Sequence, residues 1–304
     1  MHRYPDGSGY YLKKKLARLL GVSSEEIVLG NGSNELIDFL IKVFIQSGYE
    51  AISSNPSFLV YSKMVQAIGG SNVVIPLSDY RHDLENISRA VTPKTRLIFL
   101  DNPNNPTGTV IHQEDFDAFL EDLPDYLLVV LDEAYIEFVR NKRTPNAVEY
   151  VKQDRRVIAL RTFSKAYGLA GLRVGYGVMD REVAKYLERV RQPFNVNTMA
   201  QVGALAALDD HQHLKKTVDT VWQGMDFLTK RLEESGCRVM PSETNFILVD
   251  IGRDAKMVYE KMLREGVIVR AMTAYGLPNH IRITVGLPEE NLRCIESLHK
   301  VLNN

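Results

Sequence analysis

The sequence has little cysteine, no long apolar run and no excess of one charge, and each absence excludes a class of protein. Its two cysteines, Cys237 and Cys294, are too few for a disulfide framework or a clustered metal site. No window approaches the length of a membrane-spanning helix, and the opening residues, MHRYPDGSGYYLKKK, lack the apolar stretch of a secretion signal. A formal net charge of -1 offers no basic surface for nucleic acid or an anionic membrane. We therefore expect a cytoplasmic protein that acts on small molecules and binds no metal ion.

Short apolar runs alternate with segments of helical periodicity along the first two thirds of the chain. TRLIFLD, YLLVVLD and RVIALR are nearly continuous apolar runs, which are typical of parallel strands covered on both faces. The pattern predicts an α/β fold with a mostly parallel sheet and helices on both faces. A helical stretch, roughly Met199 to Glu234, then leads to strand candidates at Asn245 to Asp250 and His280 to Val285. We expect a large domain over residues 1–205 and a smaller C-terminal α+β domain, with its connecting helix, over 206–304.

Side chains with useful chemistry follow the ends of these apolar runs. Lys165 and Arg173 follow RVIALR in the segment TFSKAYGLAGLRVGY, and Asp132 ends YLLVVLD. A lysine can form a Schiff base, an arginine can hold a phosphate through two parallel hydrogen bonds, and a carboxylate can keep a pyridine nitrogen protonated. Open α/β sheets bind their ligands beyond the carboxyl ends of the strands. These three groups therefore predict a pyridoxal phosphate site at that edge of the sheet.

Two loops add candidates, and each has a purely structural alternative. GNGSNE could cradle a phosphate on the backbone amides of Ser33 and Asn34, or it could be an ordinary capped helix start. NPNNPTG carries Asn105 in a tight turn, which could serve the fold alone or present an amide to an oxygen of an aromatic ring.

Three further segments complete the set of candidates. DEAYIEF adds Tyr135 beside the aspartate, although an acidic pair also favours a helix start. Thr162 and Ser164 place two hydroxyls next to the lysine. Arg282 lies inside the apolar strand HIRITVG, where a charged side chain usually needs an anionic partner. That partner is either an internal carboxylate or the carboxylate of a substrate.

The motifs GNGSNE, NPNNPTG, DEAY, SKAYGLAGLR and RITVG, in this order, resemble the fold-type I pyridoxal-phosphate aminotransferases. RYPDG at residues 3–7, DEAYIEF, SETNF at 242–246 and RITVG resemble the histidinol-phosphate aminotransferase subfamily most. The resemblance runs essentially from end to end. It implies pyridoxal 5′-phosphate as cofactor and amino transfer between histidinol phosphate and 2-oxoglutarate, a step of histidine biosynthesis.

The resemblance also implies roles for the residues around the cofactor. Lys165 is the catalytic residue, which holds the cofactor as a Schiff base and later shuttles a proton. Asp132 pairs with the pyridinium nitrogen. The remaining cofactor-binding residues are Asn105 and Tyr135 at the ring hydroxyl, Phe58 against the ring face, and Ser33, Asn34, Thr162, Ser164 and Arg173 around the phosphate.

Substrate and partner contacts are implied in the same way. Arg282 takes an amino-acid carboxylate, Arg270 lies near the substrate phosphate, and Asn245 lines the same pocket. Tyr4 of RYPDG reaches the cofactor phosphate of the other subunit, which implies a homodimer with composite sites.

Three other functions stay open on the sequence. Threonine-phosphate decarboxylase shares the Ser-Lys and Gly-Leu-Arg pattern, although SETNF and RITVG favour the aminotransferase. A broad aromatic aminotransferase could use the same arginine, and a non-catalytic regulatory module could bind the cofactor without turnover. Family members also carry an N-terminal arm ahead of RYPDG, whereas this sequence starts almost at that motif. We therefore expect cofactor binding to be preserved and closure over the substrate to be altered.

Overall fold

The computed structural model describes residues 2–154 and 156–303. Among these residues, seven strands form the larger sheet in the order β1-β7-β6-β5-β4-β2-β3. All of them run parallel except β7, which is antiparallel to both of its neighbours. The strands are β1 Ile27–Gly30, β2 Glu50–Asn55, β3 Ser71–Pro76, β4 Thr95–Asp101, β5 Leu128–Asp132, β6 Val157–Thr162 and β7 Gly175–Val178.

Helices cover both faces of this sheet. Alternate residues of the central strands point to opposite faces, and they enter two separate apolar clusters. One cluster packs Ile98 and Val129 against α1, α5 and α8, and the other packs Phe99 and Val130 against α2, α3 and α7. The predicted fold class is therefore confirmed. The helices are α1 Tyr10–Leu20, α2 Ser33–Phe44, α3 Val60–Ala67, α4 Leu84–Arg89, α5 Gln113–Glu121, α6 Ala147–Val151, α7 Arg181–Val190 and α8 Thr198–Ala207.

The C-terminal part builds a smaller antiparallel sheet, with its four strands in the order β10-β11-β9-β8 among the described residues. Its apolar cluster draws mainly on residues 221–301. The predicted domain boundary, residue 205, lies within α8. The elements are α9 His211–Glu234, β8 Arg238–Val239, β9 Phe246–Asp250, α10 Ala255–Arg264, β10 Arg270–Ala271, β11 His280–Thr284 and α11 Pro288–Asn303.

The predicted helical stretch from Met199 to Glu234 is two helices rather than one. After α8 ends at Ala207, the Asp210 side chain accepts a hydrogen bond from the backbone N–H of His213 and so caps a new helix, α9. No helix in the described part of the chain is both long enough and apolar enough to cross a membrane.

Candidate active site

A cavity of about 220 Å³ opens beyond the carboxyl ends of β4, β5 and β6. This is the edge at which parallel sheets bind ligands. Loops that follow the three strands and the start of α2 form its walls. The lining residues are Ser33, Asn34, Phe58, Tyr61, Asp101, Pro103, Asn105, Asp132, Ala134, Tyr135, Thr162, Ser164, Lys165, Ala170 and Arg173.

Asp132 is a buried carboxylate at the end of β5, and one of its two oxygens has no hydrogen-bond partner within the described residues. Its Oδ2 accepts a hydrogen bond of 3.0 Å from the Tyr61 hydroxyl. Its Oδ1 is buried and has no hydrogen-bond partner within the described residues. An unpaired buried carboxylate oxygen is costly, so the arrangement favours a cationic or hydrogen-donating ligand in the cavity.

The protein environment raises the pKa of Asp132 and lowers the pKa of Lys165. Burial raises the pKa of Asp132 to about 7, and the neighbouring carboxylate of Asp101 contributes to the rise. Burial lowers the pKa of Lys165, and the positive charge of Arg282 lowers it further. A lowered pKa increases the share of neutral amine, which is the form that acts as a nucleophile or a base.

Tyr135 stands beside the lysine. The Lys165 Nζ lies 5.2 Å from the centre of the Tyr135 ring. Burial raises the pKa of the Tyr135 phenol well above its ordinary value. The phenol therefore stays protonated and can donate a hydrogen bond to an oxygen in the cavity.

The mouth of the cavity forms a cradle for an anion. Residues Ser33 and Asn34 are the first two of α2, so their backbone N–H groups have no partner inside the helix. Arg173 faces the same point, and its guanidinium donates to the carbonyl of Ala170 at 3.0 Å. Gly32 adopts φ 80°, and a Cβ added there would lie 2.3 Å from the Arg173 guanidinium. The positive φ is a backbone conformation that residues with a side chain rarely adopt, so this turn favours glycine.

Two hydroxyls extend this cradle at the end of β6. The Ser164 hydroxyl accepts a hydrogen bond of 2.9 Å from the Thr162 hydroxyl, and Arg173 approaches the same oxygen at 3.4 Å. Hydroxyls, backbone amides and a guanidinium together are the usual donors to a phosphate group.

The loop 102–108 joins the cofactor side of the site to the small sheet. The backbone N–H of Asn105 donates to Asp101 Oδ2 at 2.7 Å, which fixes the loop at the strand end. The Asn105 side-chain oxygen accepts a hydrogen bond from Arg282 Nη1. Arg282 is half-buried, and its partner here is an amide rather than a carboxylate. Within the described residues, Arg282 therefore meets no carboxylate that would give it an internal salt bridge.

Arg270 and Asn245 lie on the small-sheet side. Arg270 faces Arg282 directly across the β10–β11 ladder, is exposed, and lies 5.7 Å from the centre of the Tyr275 ring. Asn245 precedes β9, and its carbonyl accepts the backbone N–H of Val285. None of the three predicted substrate residues, Arg282, Arg270 and Asn245, is among the residues that line the cavity described above.

Tyr4 lies outside the cavity of its own chain. Its side chain is 82% exposed and stacks on Phe194, with ring centres 4.8 Å apart. Its predicted role concerns a second subunit, so it stays a prediction.

Sequence reasoning missed five of the residues that line the cavity. Three of them, Pro103, Ala134 and Ala170, have apolar side chains, and the other two are Asp101 and Tyr61. Asp101 ends the run TRLIFLD as Asp132 ends YLLVVLD, and the two are register partners on adjacent strands. That repeated strand-end aspartate was a signal that could have identified Asp101. Tyr61 belongs to α3 and reaches Asp132 only through the tertiary fold, so no local pattern marked it.

These features fit pyridoxal phosphate. The unpartnered Asp132 oxygen suits the pyridinium nitrogen, the amine of Lys165 suits the aldehyde, and the cradle at Gly32 suits the phosphate. The fold and the site together define the class of pyridoxal phosphate-dependent transferases.

Comparison with known proteins agrees with this class. The family described as aminotransferase class I and II matches residues 1–297. A histidinol-phosphate aminotransferase from Desulfotalea psychrophila is 50% identical over 99% of this chain and 80% of that protein. One from Idiomarina loihiensis is 47% identical over 98% of this chain and 82% of that protein.

A solved structure gives the same result. The histidinol-phosphate aminotransferase from Sinorhizobium meliloti, in complex with pyridoxal-5′-phosphate, superposes with a TM-score of 0.94. It is 32% identical and covers 99% of this chain and 83% of that one. The chain belongs to the aminotransferase class I and II family. The predicted family and cofactor are confirmed.

Proposed function

We propose that this protein transfers an amino group between histidinol phosphate and 2-oxoglutarate, giving imidazole acetol phosphate and glutamate in histidine biosynthesis. The observation that carries this proposal is the identity of 45–50% to several histidinol-phosphate aminotransferases over at least 98% of the chain. The site geometry supports amino transfer independently, because a lysine and an unpaired carboxylate face one cavity.

Lys165 carries the central chemistry in this proposal. Pyridoxal phosphate, when bound, supplies an electron sink for the bond that breaks at the substrate carbon. The lowered pKa of Lys165 makes its Nζ available as a neutral amine, which can bind the cofactor and then accept and return a proton. Asp132 Oδ1 would accept a hydrogen bond from the ring nitrogen, and Tyr61 holds Asp132 in place through Oδ2.

The remaining residues orient the cofactor. Asn105 and Tyr135 would bind the ring hydroxyl oxygen, and Phe58 would pack against the ring face. The α2 start and the side chains of Thr162, Ser164 and Arg173 hold the phosphate. The support for these roles is that every one of these residues lines the same cavity.

Arg282, Arg270 and Asn245 bind the substrate in this proposal. Arg282 takes the carboxylate of glutamate or 2-oxoglutarate, because its guanidinium already projects to Asn105 at the cavity wall. Arg270, directly opposite on the ladder, supplies a second positive charge for the phosphate of histidinol phosphate.

We also propose a cytoplasmic homodimer with composite active sites, with its domains divided near residue 205. The support for the dimer is a surface of exposed apolar side chains on the N-terminal segment, on α1, on α8 and on the turn between α7 and α8. These side chains are Tyr4, Tyr10, Tyr11, Phe194, Met199 and Val202. The two free, buried cysteines suit a reducing compartment.

The test is a visible absorption spectrum of the purified protein with pyridoxal phosphate. Histidinol phosphate, phosphothreonine and glutamate are then added separately. We expect the band of the lysine-bound cofactor to convert to that of the aminated cofactor with histidinol phosphate, and to return on addition of 2-oxoglutarate.

Other outcomes would select other functions. Release of carbon dioxide from phosphothreonine would favour a decarboxylase, and a solved L-threonine-O-3-phosphate decarboxylase from Porphyromonas gingivalis, 25% identical with a TM-score of 0.86, has the same fold. Conversion by aromatic amino acids but not by histidinol phosphate would indicate an aromatic aminotransferase. A band that no amine changes would indicate a binding module.

A further inference from the structure

The turn between β3 and α4 has an unusual backbone. Ser78 and Arg81 exchange two backbone hydrogen bonds of 2.9 Å, which close a two-residue hairpin. Its central residues, Asp79 and Tyr80, have φ of 44° and 62°. Positive φ at both positions is the type I′ geometry, which usually uses Asn-Gly or Asp-Gly. A tyrosine at the second position is strained, and such strain persists only where surrounding contacts enforce it.

Those contacts come from the small sheet. The Tyr80 hydroxyl and His280 Nε2 are 3.0 Å apart and share a hydrogen bond. The Arg238 guanidinium lies 5.7 Å from the centre of the Tyr80 ring. Tyr80 also packs, with Leu59, against a small apolar cluster of Met240, Leu248, Met272 and Tyr275. The strained tyrosine therefore bridges from a loop of the large sheet to the small sheet.

The large-sheet side of this bridge is also fixed. The Tyr80 carbonyl accepts a hydrogen bond of 2.7 Å from the Thr109 hydroxyl, directly after the loop 102–108. This is the loop whose Asn105 meets Arg282. Tyr80 and Arg282 thus contact the same short segment after β4, Tyr80 at Thr109 and Arg282 at Asn105.

His280 and Arg282 lie on one face of the small sheet. They are two residues apart on β11, so their side chains point the same way. Any movement of β11 that breaks the contact of His280 with Tyr80 also moves Arg282 relative to Asn105.

We propose that Tyr80 is a positioning residue for substrate binding. Through His280 it holds β11 at the distance at which Arg282 meets the substrate carboxylate. The contacts of the Tyr80 ring and carbonyl hold the Asp79–Tyr80 turn in its strained geometry, which places the hydroxyl at His280. The inference rests on the proposed function in one respect, the binding of a dicarboxylate by Arg282.

The test compares Tyr80→Phe with wild-type holoenzyme. The readout is the Kd of glutarate, a non-reacting dicarboxylate with the carbon skeleton of 2-oxoglutarate, measured by calorimetry. We expect the variant to bind glutarate about threefold to tenfold more weakly, which is the range for loss of one hydrogen bond. The apolar packing of the ring is retained, so pyridoxal phosphate affinity should not change and circular dichroism should show a folded protein, while the unfolding temperature falls slightly with the lost hydrogen bond.

Two further sets of variants sharpen this test. Tyr126→Phe is the matched control, because its hydroxyl also makes one hydrogen bond, to the carbonyl of Thr92, on the large sheet. It should leave glutarate binding unchanged. His280→Leu should weaken binding as Tyr80→Phe does, and the double variant should be no weaker than either single one, because both remove the same contact.

Two results would overturn the proposal. The first is wild-type affinity for glutarate in Tyr80→Phe. The second is additive losses in the double variant. Turnover of histidinol phosphate with 2-oxoglutarate by the wild-type enzyme is measured in parallel. If the wild-type enzyme is active and Tyr80→Phe binds glutarate with wild-type affinity, only the proposed role of Tyr80 is rejected. A wild-type protein that binds no glutarate would remove both Tyr80 and Arg282.

Discussion

The two halves of the active site are built in different ways. On the cofactor half, Asp132 ends a central strand, and Lys165 lies three residues beyond the end of the next strand. Both are therefore fixed by a sheet that is buried on both faces. On the proposed substrate half, Arg270 and Arg282 belong to a separate four-stranded sheet, and Arg282 donates a hydrogen bond to the side chain of Asn105 in the loop after β4.

This difference matches the demands on each half. Groups that move protons and stabilise charge must be held in place before the reaction. Groups that recognise a substrate can reach it through contacts between two sheets, where closure can complete the site. Damage to the cofactor half should therefore abolish chemistry, whereas damage to the substrate half should mainly weaken binding.

The largest effect is expected from Lys165→Ala. The variant lacks the amine that we propose binds the cofactor and carries the proton, so turnover should fall by more than about 10³-fold. The side chain is only partly buried, so the fold should be intact. Single-turnover assays and circular dichroism measure the two properties. Undiminished turnover would remove Lys165 from its role.

Asp132→Asn should separate chemistry from stability on the cofactor half. Turnover should fall by about 10²–10³-fold, because the carboxylate no longer supports the ring nitrogen. The cofactor-free variant should nevertheless be more stable than wild type near pH 8, since it lacks a buried, half-paired carboxylate.

The gain in stability from Asp132→Asn should depend on pH, and the raised pKa of Asp132 gives its direction. The pKa of Asp132 is raised to about 7 in the folded protein. Between its unfolded pKa and about pH 7, the folded state holds a proton that the unfolded state has lost, so stability falls as pH rises. Thermal unfolding at pH 5 and pH 8 should show the advantage of Asp132→Asn growing with pH. An advantage that is equal at both values would contradict this account.

The cofactor half was also the part that the sequence predicted best. Strand-end motifs such as SKAYGLAGLR mark residues whose positions follow from the parallel sheet alone, and all the cofactor residues predicted from one chain line one cavity. Tyr61 was missed because it reaches Asp132 from a helix through the tertiary fold. In the small sheet, β8 and β10 are two residues long, too short for any periodic pattern.

Arg282→Lys should test the substrate half. A lysine keeps the charge but loses the planar, two-pronged geometry that matches a carboxylate. The KM for glutamate and for 2-oxoglutarate should rise about 30-fold to 100-fold, with the cofactor absorbance unchanged. Arg264→Lys, at an exposed position on α10, is the matched control. A loss of cofactor affinity instead of substrate affinity would contradict the division of the site into a cofactor half and a substrate half.

The smallest effect is expected from Tyr4→Phe, and it tests whether the cofactor half is complete within one chain. In the proposed composite site the Tyr4 hydroxyl contacts the cofactor phosphate, so its loss should weaken pyridoxal phosphate binding about threefold to tenfold. Cofactor titration of the visible band measures the change.

Mixing subunits then decides where Tyr4 acts. In a dimer of one Tyr4→Phe chain and one Lys165→Ala chain, a composite arrangement leaves one site with both Lys165 and a wild-type Tyr4. Cofactor affinity at that site should return to the wild-type value. If Tyr4 acted within its own chain, every site with Lys165 would keep the phenylalanine, and mixing would restore nothing. Because Tyr4 is 82% exposed and lies outside the cavity of its own chain, we expect restoration.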